Sequence, residues 1–396
     1  MLYKIKGTVL KLVSVANIIA IVLLFLIGNV DKLQPADHPW LANFGLGFPI
    51  VLVLNLLFIV VWVILCPKRV WLPLLGLLIC YVPIRKYIPF NIKKEIPVRS
   101  IKVLSYNVYM FSLWDFDPQA HNPIVDYIVK SNADIVCLQE TDAYGKQRDY
   151  IYKVLAKAYP YHDFVSMPAP GHQHMMLLSH YPILKKERIM YKSAGNISFA
   201  YVINYNNQEV LVVNNHFESN HFSEADKQGY KDIVRSPFEG GNTKTESKRI
   251  LDKLGEAAII RAPQADAVAA YVERYLRKKI PVILCGDFND NPISYTHKTI
   301  ARQLTDAYIA SGNGPGISYH RSGMYVRIDN IFCSSEFEAY GAKVDDNIST
   351  SDHYPIYVWL KYRPKYLCCR LADARKHFLL VFLGSNKLLR RASCED

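Results

Sequence analysis

The sequence predicts an α/β domain carried behind two or three apolar helices long enough to cross a membrane. Three observations say so: uncharged apolar runs crowd the first hundred residues, short β-rich runs alternate with helical ones from Ile101 onward, and the excess positive charge sits at the two ends. A chain of 396 residues has room for two or three domains or for one large domain with attachments.

The apolar elements come first. The stretch from Val9 to Val30 holds one charge, Lys11, near its edge, and Phe48 to Cys66 holds none. Each approaches the roughly 20 residues that carry a helix across the hydrocarbon. Two such stretches without a small-residue cleavage site read as retained spans, not as a removable signal. A third stretch, Val70 to Ile84, is uncharged but short and contains Pro73 and Pro83; crossing the bilayer and dipping into it both stay open. Lys4, Lys6 and Lys11 favour a cytoplasmic amino terminus, with Asp31 and Asp37 outside and Lys68 and Arg69 inside again. If the third stretch crosses, the rest of the chain lies outside. If it does not, the rest is cytoplasmic, the side that Arg85, Lys86, Lys93 and Lys94 favour. The short PKR connection and the need to bury an uncharged segment incline the reading to the outside.

Charge separates the remaining parts. The formal net charge of +12 divides into +8 for residues 1–99, −1 for 100–362 and +5 for 363–396. Basic ends suit anionic headgroups, while a neutral centre lacks the cationic face that duplex DNA demands. Residues 1–84 are thus read as a membrane anchor, 85–100 as a basic linker, 101–362 as the α/β domain and 363–396 as a basic tail, disordered or peripheral to the membrane. The cysteines, eight in number, form no CxxC or zinc spacing; Cys137, Cys285 and Cys333 sit in strand-like runs as small buried hydrophobes.

Within the domain, IKVLSYNV, ADIVCLQE, HMMLLSHYPI, ISFAYVINY, EVLVVNNHF, IPVILCGDFND, VRIDNIFCSS and YPIYVWLKY read as strands. PIVDYIVKSN and the span from about Thr245 to Lys279 read as helices, giving the alternation of an α/β fold. Residues 221–247, polar and glycine-bearing, are expected to form a surface loop or lid. Arg274, Arg277, Lys278 and Lys279 are expected on a solvated helix face.

The chemistry lies where the strands run out. SYNV ends at Asn107, VCLQE at Glu140, VVNNHFES carries Asn214 and His216, CGDFND carries Asp287 and Asn289, VRIDNIF carries Asp329, and SDHYP carries Asp352 and His353. In α/β sheets such ends form the edge where ligands bind. Hard oxygen ligands without clustered thiolates suit Mg²⁺ or Mn²⁺ held by one or two carboxylates and a substrate phosphate. Imidazoles can donate hydrogen bonds to a phosphoryl oxygen, so the set points to phosphoester hydrolysis.

Taken in order, Asn107, LQE, NHFES, GDFND, RIDNIF and SDHYP resemble the motifs of the endonuclease/exonuclease/phosphatase superfamily, over about Ile101 to Tyr362. The resemblance implies a four-layer sandwich of two packed mixed β-sheets flanked by helices. It also implies Glu140 as principal metal ligand, with Asn107 and Asp352 near the ion. Asp287 and Asn289 would position the attacking water and the phosphate. His353, oriented by Asp329, would bond the scissile phosphate or act as base, and His216 would be a second donor. The chain departs from the pattern at Asn330, where an aromatic residue is usual, and in the histidine-rich GHQHMMLLSHYPI, where His172 and His174 are read as ordinary loop histidines, with a place near the mouth as the alternative. Arg261 and Gln264 fit either the cleft or an exposed helix face.

The expected function is a membrane-anchored Mg²⁺- or Mn²⁺-dependent phosphoesterase. Its partners are the bilayer and a lipid-type or small phosphoester. A nuclease acting on DNA or RNA is the alternative, and a membrane-tethered binding module without turnover is the rival from another class.

Overall fold

A computed structural model describes residues 2–115, 121–166, 174–193, 195–235, 243–321 and 323–363. The tail from residue 364 and His172 lie outside these. The chain opens with α1 (Leu2–Ile27), a short α2 (Pro39–Ala42), α3 (Phe48–Leu65), α4 (Trp71–Ile79) and α5 (Tyr81–Tyr87). Two helical stretches, Gly7–Lys32 and Phe44–Leu65, are long and apolar enough to cross a membrane. The pair α4 and α5 is long and apolar enough to cross only when taken together, and it is bent by 65° in the stretch that contains Pro73 and Pro83, residues that cannot donate into a helix ladder. α5 runs through Arg85 and Lys86, so part of the expected linker is helical.

Buried amides join α1 and α3. Trp62 Nε1 donates to Asn17 Oδ1 at 2.9 Å, and Asn55 Nδ2 donates to the Ala20 carbonyl at 3.0 Å. The PKR turn folds back beside α1, where Arg69 Nη1 donates to the Leu10 carbonyl and Ser14 Oγ. At the other end Lys86 Nζ reaches Asp31 Oδ2 at 2.5 Å. The loop between α1 and α3 and the end of α5 therefore share one end of the bundle, and the PKR turn lies at the opposite one.

Beyond the bundle come β1 (Ile101–Asn107), α6 (Pro123–Ser131), β2 (Ile135–Gln139), α7 (Gly145–Ala158), β3 (Tyr161–Ser166), β4 (His174–Ser179), β5 (Ile183–Ile189), β6 (Ser198–Tyr205) and β7 (Gln208–His216). They are followed by α8 (Glu224–Arg235), α9 (Thr243–Arg277), β8 (Val282–Asp287), α10 (Tyr295–Ala301), β9 (Thr305–Asp306), α11 (Ala307–Ser311), β10 (Asp329–Cys333), β11 (Phe337–Val344) and β12 (Ile356–Tyr362). Local chemistry sets the ends. Asn122 caps α6 by accepting from the Ile124 and Val125 amides, Pro123 follows it, and Asn132 closes the helix in the left-handed region.

Two six-stranded mixed sheets result, in the orders β11-β12-β1-β2-β4-β3 and β5-β6-β7-β8-β10-β9. Alternation along each strand fills three layers. Ile101, Val103, Ile135 and Cys137 meet Val210, Val212, Ile283, Cys285 and Ile331 between the sheets. Leu104, Tyr106, Val136 and Leu138 face α6 and α7, while Leu211, Val213 and Leu284 face α9. The four-layer sandwich is present, with Cys137, Cys285 and Cys333 buried between the sheets.

The stretch 221–247 departs from the loop expected of it. Its described residues are α8 and the start of α9, with 236–242 outside the description. α8 docks through Asp226, buried beneath Arg249 and Lys253 of α9 at 3.0 and 2.5 Å. The Lys253 hydrogen bond, aided by Ser223 and opposed by burial, holds the Asp226 carboxyl well below the usual range. A group with a depressed folded pKa stabilises fully above its ordinary value, about 3.9, and that contribution fades as pH falls through the folded value. Asp226→Asn is expected to raise trypsin cleavage within α8 at neutral pH. The gap between variant and parent should close as the pH falls below about 4. Equal cleavage of the two at pH 7 would remove Asp226 as the clasp.

Candidate active site

Strand parity builds the cleft. Along the inward row of β1 the side chains run Ile101, Val103, Ser105, Asn107, and along β2 Ile135, Cys137, Gln139. The rows of β7 and β8 end in Asn214 and His216 and in Asp287, while β10 starts at Asp329. The space between the sheets therefore changes from apolar to polar at one edge. Register aligns it, since Asn107 lies opposite Gln139, His216 opposite Asp287 and Asp287 opposite Asp329.

Backbone constraints hold this edge. Gly286 has φ +142°, and a Cβ there would lie 1.9 Å from the Asn215 carbonyl oxygen, so GDFND tolerates only glycine at its first position. Glu140 and Asn289 sit at φ 52° and 50°, turning out of their strands into the cleft. SDHYP is pinned by Ser351, whose Oγ donates to the Asn107 carbonyl and accepts from the His353 amide.

The side chains then converge. His353 Nδ1 lies 2.7 Å from Asp329 Oδ2, and its Nε2 is 3.7 Å from Asp287 Oδ2. Asn107 Nδ2 donates to Glu140 Oε1 at 3.0 Å and to Asp287 Oδ2 at 3.1 Å. His216 Nε2 stands 3.6 Å from Glu140 and 3.7 Å from Asp287. Asn289 donates its side-chain amide to the Phe217 carbonyl and its backbone amide to Asp287 Oδ1. Glu140, Asp287, Asn289, Asp352 and His353 line one cavity of about 330 Å³. Eight of the nine strand-end residues singled out in the sequence, all but Asn214, thus gather at this edge.

Burial works on their charges. It pushes Asp287 up to about 6, with Asp329 adding to the rise and His353 opposing it. It pushes Glu140 up against the Asn107 hydrogen bond, and Asp352 and Asp329 push the same way. Burial lowers His216. It also acts to lower His353, but the Asp329 and Asp287 carboxylates outweigh it and hold that imidazole well above its ordinary value.

A divalent cation fits this donor set. Asp352 Oδ1 is buried without a hydrogen-bond partner, and Glu140 faces the charge of Asp352 across the cleft, an arrangement of hard oxygens that a cation relieves. Asp287, Asp329 and His353 also bring ligand atoms within 4.8 Å of one another. In that trio, however, His353 Nδ1 is already committed to Asp329, so Glu140 and Asp352 are the freer pair.

Several lining residues were not assigned from sequence. Arg261 and Gln264 are not on an exposed face: they are 1% and 0% exposed. Arg261 Nη1 donates to the Glu218 carbonyl and Asn220 Oδ1, and its guanidinium lines the cavity. Tyr319 packs edge-on to His353 at 5.1 Å, and Lys227 of α8 reaches the mouth. Asn214 and Gln139 instead brace the two sheets, Gln139 Nε2 donating to Asn214 Oδ1 at 2.7 Å. His174 is 2.8 Å from Asp142 and does not line the cavity. Asn330 donates to the Ile328 carbonyl. Arg274, Arg277, Lys278 and Lys279 are exposed, as expected.

Residues 104–353 match the model of the endonuclease/exonuclease/phosphatase family, and residues 10–87 match a domain model of unknown function. No curated protein matches the chain. Among solved structures it is similar to the human Nocturnin catalytic domain with bound sulfate anion, at 16% identity over 68% of this chain and 96% of that one, TM-score 0.47. It is also similar to truncated Caenorhabditis elegans TDP2, at 14% identity over 67% and 99%, TM-score 0.46. An endonuclease/exonuclease/phosphatase from Beutenbergia cavernae matches at 18% identity over 67% and 72%, TM-score 0.46.

Proposed function

The chain belongs to the endonuclease/exonuclease/phosphatase family, whose members hydrolyse phosphoester bonds, and on that footing we propose that it is a membrane-anchored, divalent-metal-dependent phosphoesterase. The observation that carries this reading is the His353–Asp329 pair facing Asp287 in a cleft whose remaining acids, Glu140 and Asp352, suit a hard cation.

Glu140 and Asp352, with Asn107 beside them, would hold Mg²⁺ or Mn²⁺, which supplies neutralisation of the charge developing on the phosphoryl oxygens. His353, charged through Asp329, donates Nε2–H to a phosphoryl oxygen. Asp287, with its carboxyl near 6, accepts a proton from the attacking water close to neutrality. Asn289, its backbone tied to Asp287, orients the water and phosphate, and His216 adds a second donor when protonated. The neutral domain and the short reach from the helices favour a lipid-type or small phosphoester over duplex DNA.

The purified full chain is expected to hydrolyse bis(p-nitrophenyl) phosphate with Mg²⁺ or Mn²⁺, to stop on chelation and to resume when the metal is restored. Turnover that survives chelation would overturn the metal dependence. Absence of turnover toward this ester, plasmid DNA and phospholipids alike would favour a binding module, and efficient DNA cleavage with other esters untouched would favour a nuclease.

The anchor is read as three passes with the catalytic domain outside. Support comes from the Asp31–Lys86 contact at one end and the Arg69–Leu10 contact at the other, combined with the basic amino terminus and PKR turn. Protease added to intact spheroplasts is expected to degrade the domain. A domain left untouched would put it in the cytoplasm.

A further inference from the structure

The cavity that holds the catalytic set is not built by the α/β domain alone. Asn43 and Leu46 of the loop between α1 and α3, Pro49 of α3 and Tyr87 of α5 line it together with Glu140, Asp287 and His353. Leu46 and Pro49 lie within the stretch Phe44–Leu65 that is long and apolar enough to cross a membrane. Apolar side chains of the domain, among them Phe222, Ile250 and Met324, continue the same wall.

This junction is closely packed. A Cβ on Gly45 would lie 2.5 Å from the Ile293 carbonyl oxygen and 2.6 Å from Asn291 Oδ1. Ile293 is fully buried in a cluster with Leu24, Phe48, Leu52 and Tyr87. Asp31 holds Lys86 and lies 3.9 Å from Lys298, and Arg327 donates to the Lys86 carbonyl. Beside it Trp40, Phe44 and Ile50 are 53%, 40% and 75% exposed, the amphipathic and apolar belt expected where a helix leaves a bilayer.

Resting on the phosphoesterase reading, we propose that the N-terminal bundle supplies one wall of the substrate site, and that the substrate is a phosphoester-bearing amphiphile of the same bilayer. Its phosphate would sit against His353, with Lys227 and Arg261 as the neighbouring cations. The first carbons of its apolar part would lie on Leu46 and Pro49. A cavity of about 330 Å³ is at the small end for ligand pockets. It takes a headgroup-sized fragment, so the chains stay in the bilayer beside α3. A water-soluble ester would gain nothing from an apolar wall set at the end of a span, and a duplex would meet the bundle at the mouth.

The test places the full chain in nanodiscs made either with native-membrane lipids or with phosphatidylcholine carrying phosphatidylglycerol or phosphatidic acid. Released headgroup or phosphate is measured with Mg²⁺ or Mn²⁺ present. Lipid in the protein's own disc is expected to be hydrolysed, while the same lipid in added protein-free vesicles is spared. Leu46→Asp is expected to lower kcat/KM for disc lipid at least tenfold more than for bis(p-nitrophenyl) phosphate, with Leu46→Phe restoring the ratio. Hydrolysis of vesicle lipid as fast as disc lipid, turnover of soluble esters alone, or an unchanged ratio in Leu46→Asp would overturn the inference while leaving the phosphoesterase reading intact. Silence toward every ester would overturn both.

Discussion

His353→Ala and Asp287→Ala are each expected to lower turnover of bis(p-nitrophenyl) phosphate by about a hundredfold or more, the scale on which removing a preorganised donor or base acts. The two groups face each other at 3.7 Å, and neither can do the other's work: one donates to the phosphoryl oxygen, the other takes a proton from water. The double variant should lose little beyond the worse single one, because groups that act as a unit are not additive. Both residues are buried, and truncating His353 leaves Asp329 without its partner. His353→Gln, which keeps a donor near Asp329, therefore accompanies it, with thermal unfolding of each variant recorded. Near-normal turnover in any folded member of the set would remove that residue from the chemistry.

The largest stability effect is expected at Asp306. Its Oδ1 accepts from the Tyr308 and Ile309 amides at the start of α11, its Oδ2 lies 2.8 Å from His297 Nε2, and the buried Arg327 guanidinium approaches to 4.0 Å. Asp306→Ala removes a cap, a hydrogen bond and the one carboxylate paired with Arg327 among the described residues, and is expected to cost about 3–5 kcal/mol. Tm should fall by about 10 °C. Burial pushes the Asp306 carboxyl up, but His297 and Arg327 outweigh it and hold it below the usual range. Its contribution is therefore complete above about pH 4 and fades as the pH falls through the lowered value, so the gap between parent and variant should narrow in acid. A loss under about 1 kcal/mol at neutral pH would mean that Arg327 is held by the Lys86 carbonyl and the Tyr308 ring instead.

Much of the site was legible in sequence because strand parity is a local property. Apolar residues at 101 and 103 followed by Asn107, or at 283 and 285 followed by Asp287, announce an inward row that turns polar at its end. The helical character of 224–235 was not legible. Seven of its twelve residues are charged or amide-bearing and Gly229 interrupts it, and the helix is held by Asp226 reaching residues of α9 that lie more than twenty positions away. Arg261 and Gln264 were ambiguous for a related reason. A charged side chain on a helix is read as solvated unless its partners are known, and these partners, Glu218, Asn220 and Asp290, come from two other loops. The return of α5 to the Asp31 end of the bundle was not legible, because prolines tell where a helix bends but not which end it then meets.

The cluster around Ile293 bears on how the protein can be taken apart. A cut at residue 100 suggests itself, since β1 begins there, yet it would strip from Ile293 the side chains of Leu24, Phe48, Leu52 and Tyr87 that enclose it. The same cut would remove Asn91 from the carbonyls of Ile309 and Gly312 and the backbone oxygen that Arg327 holds. The excised fragment would carry a raw apolar scar beside its own cleft, prone to self-association and to capture of detergent. Expression trials that trim the helices for solubility would thus produce a less soluble and less stable body than the whole chain in a micelle.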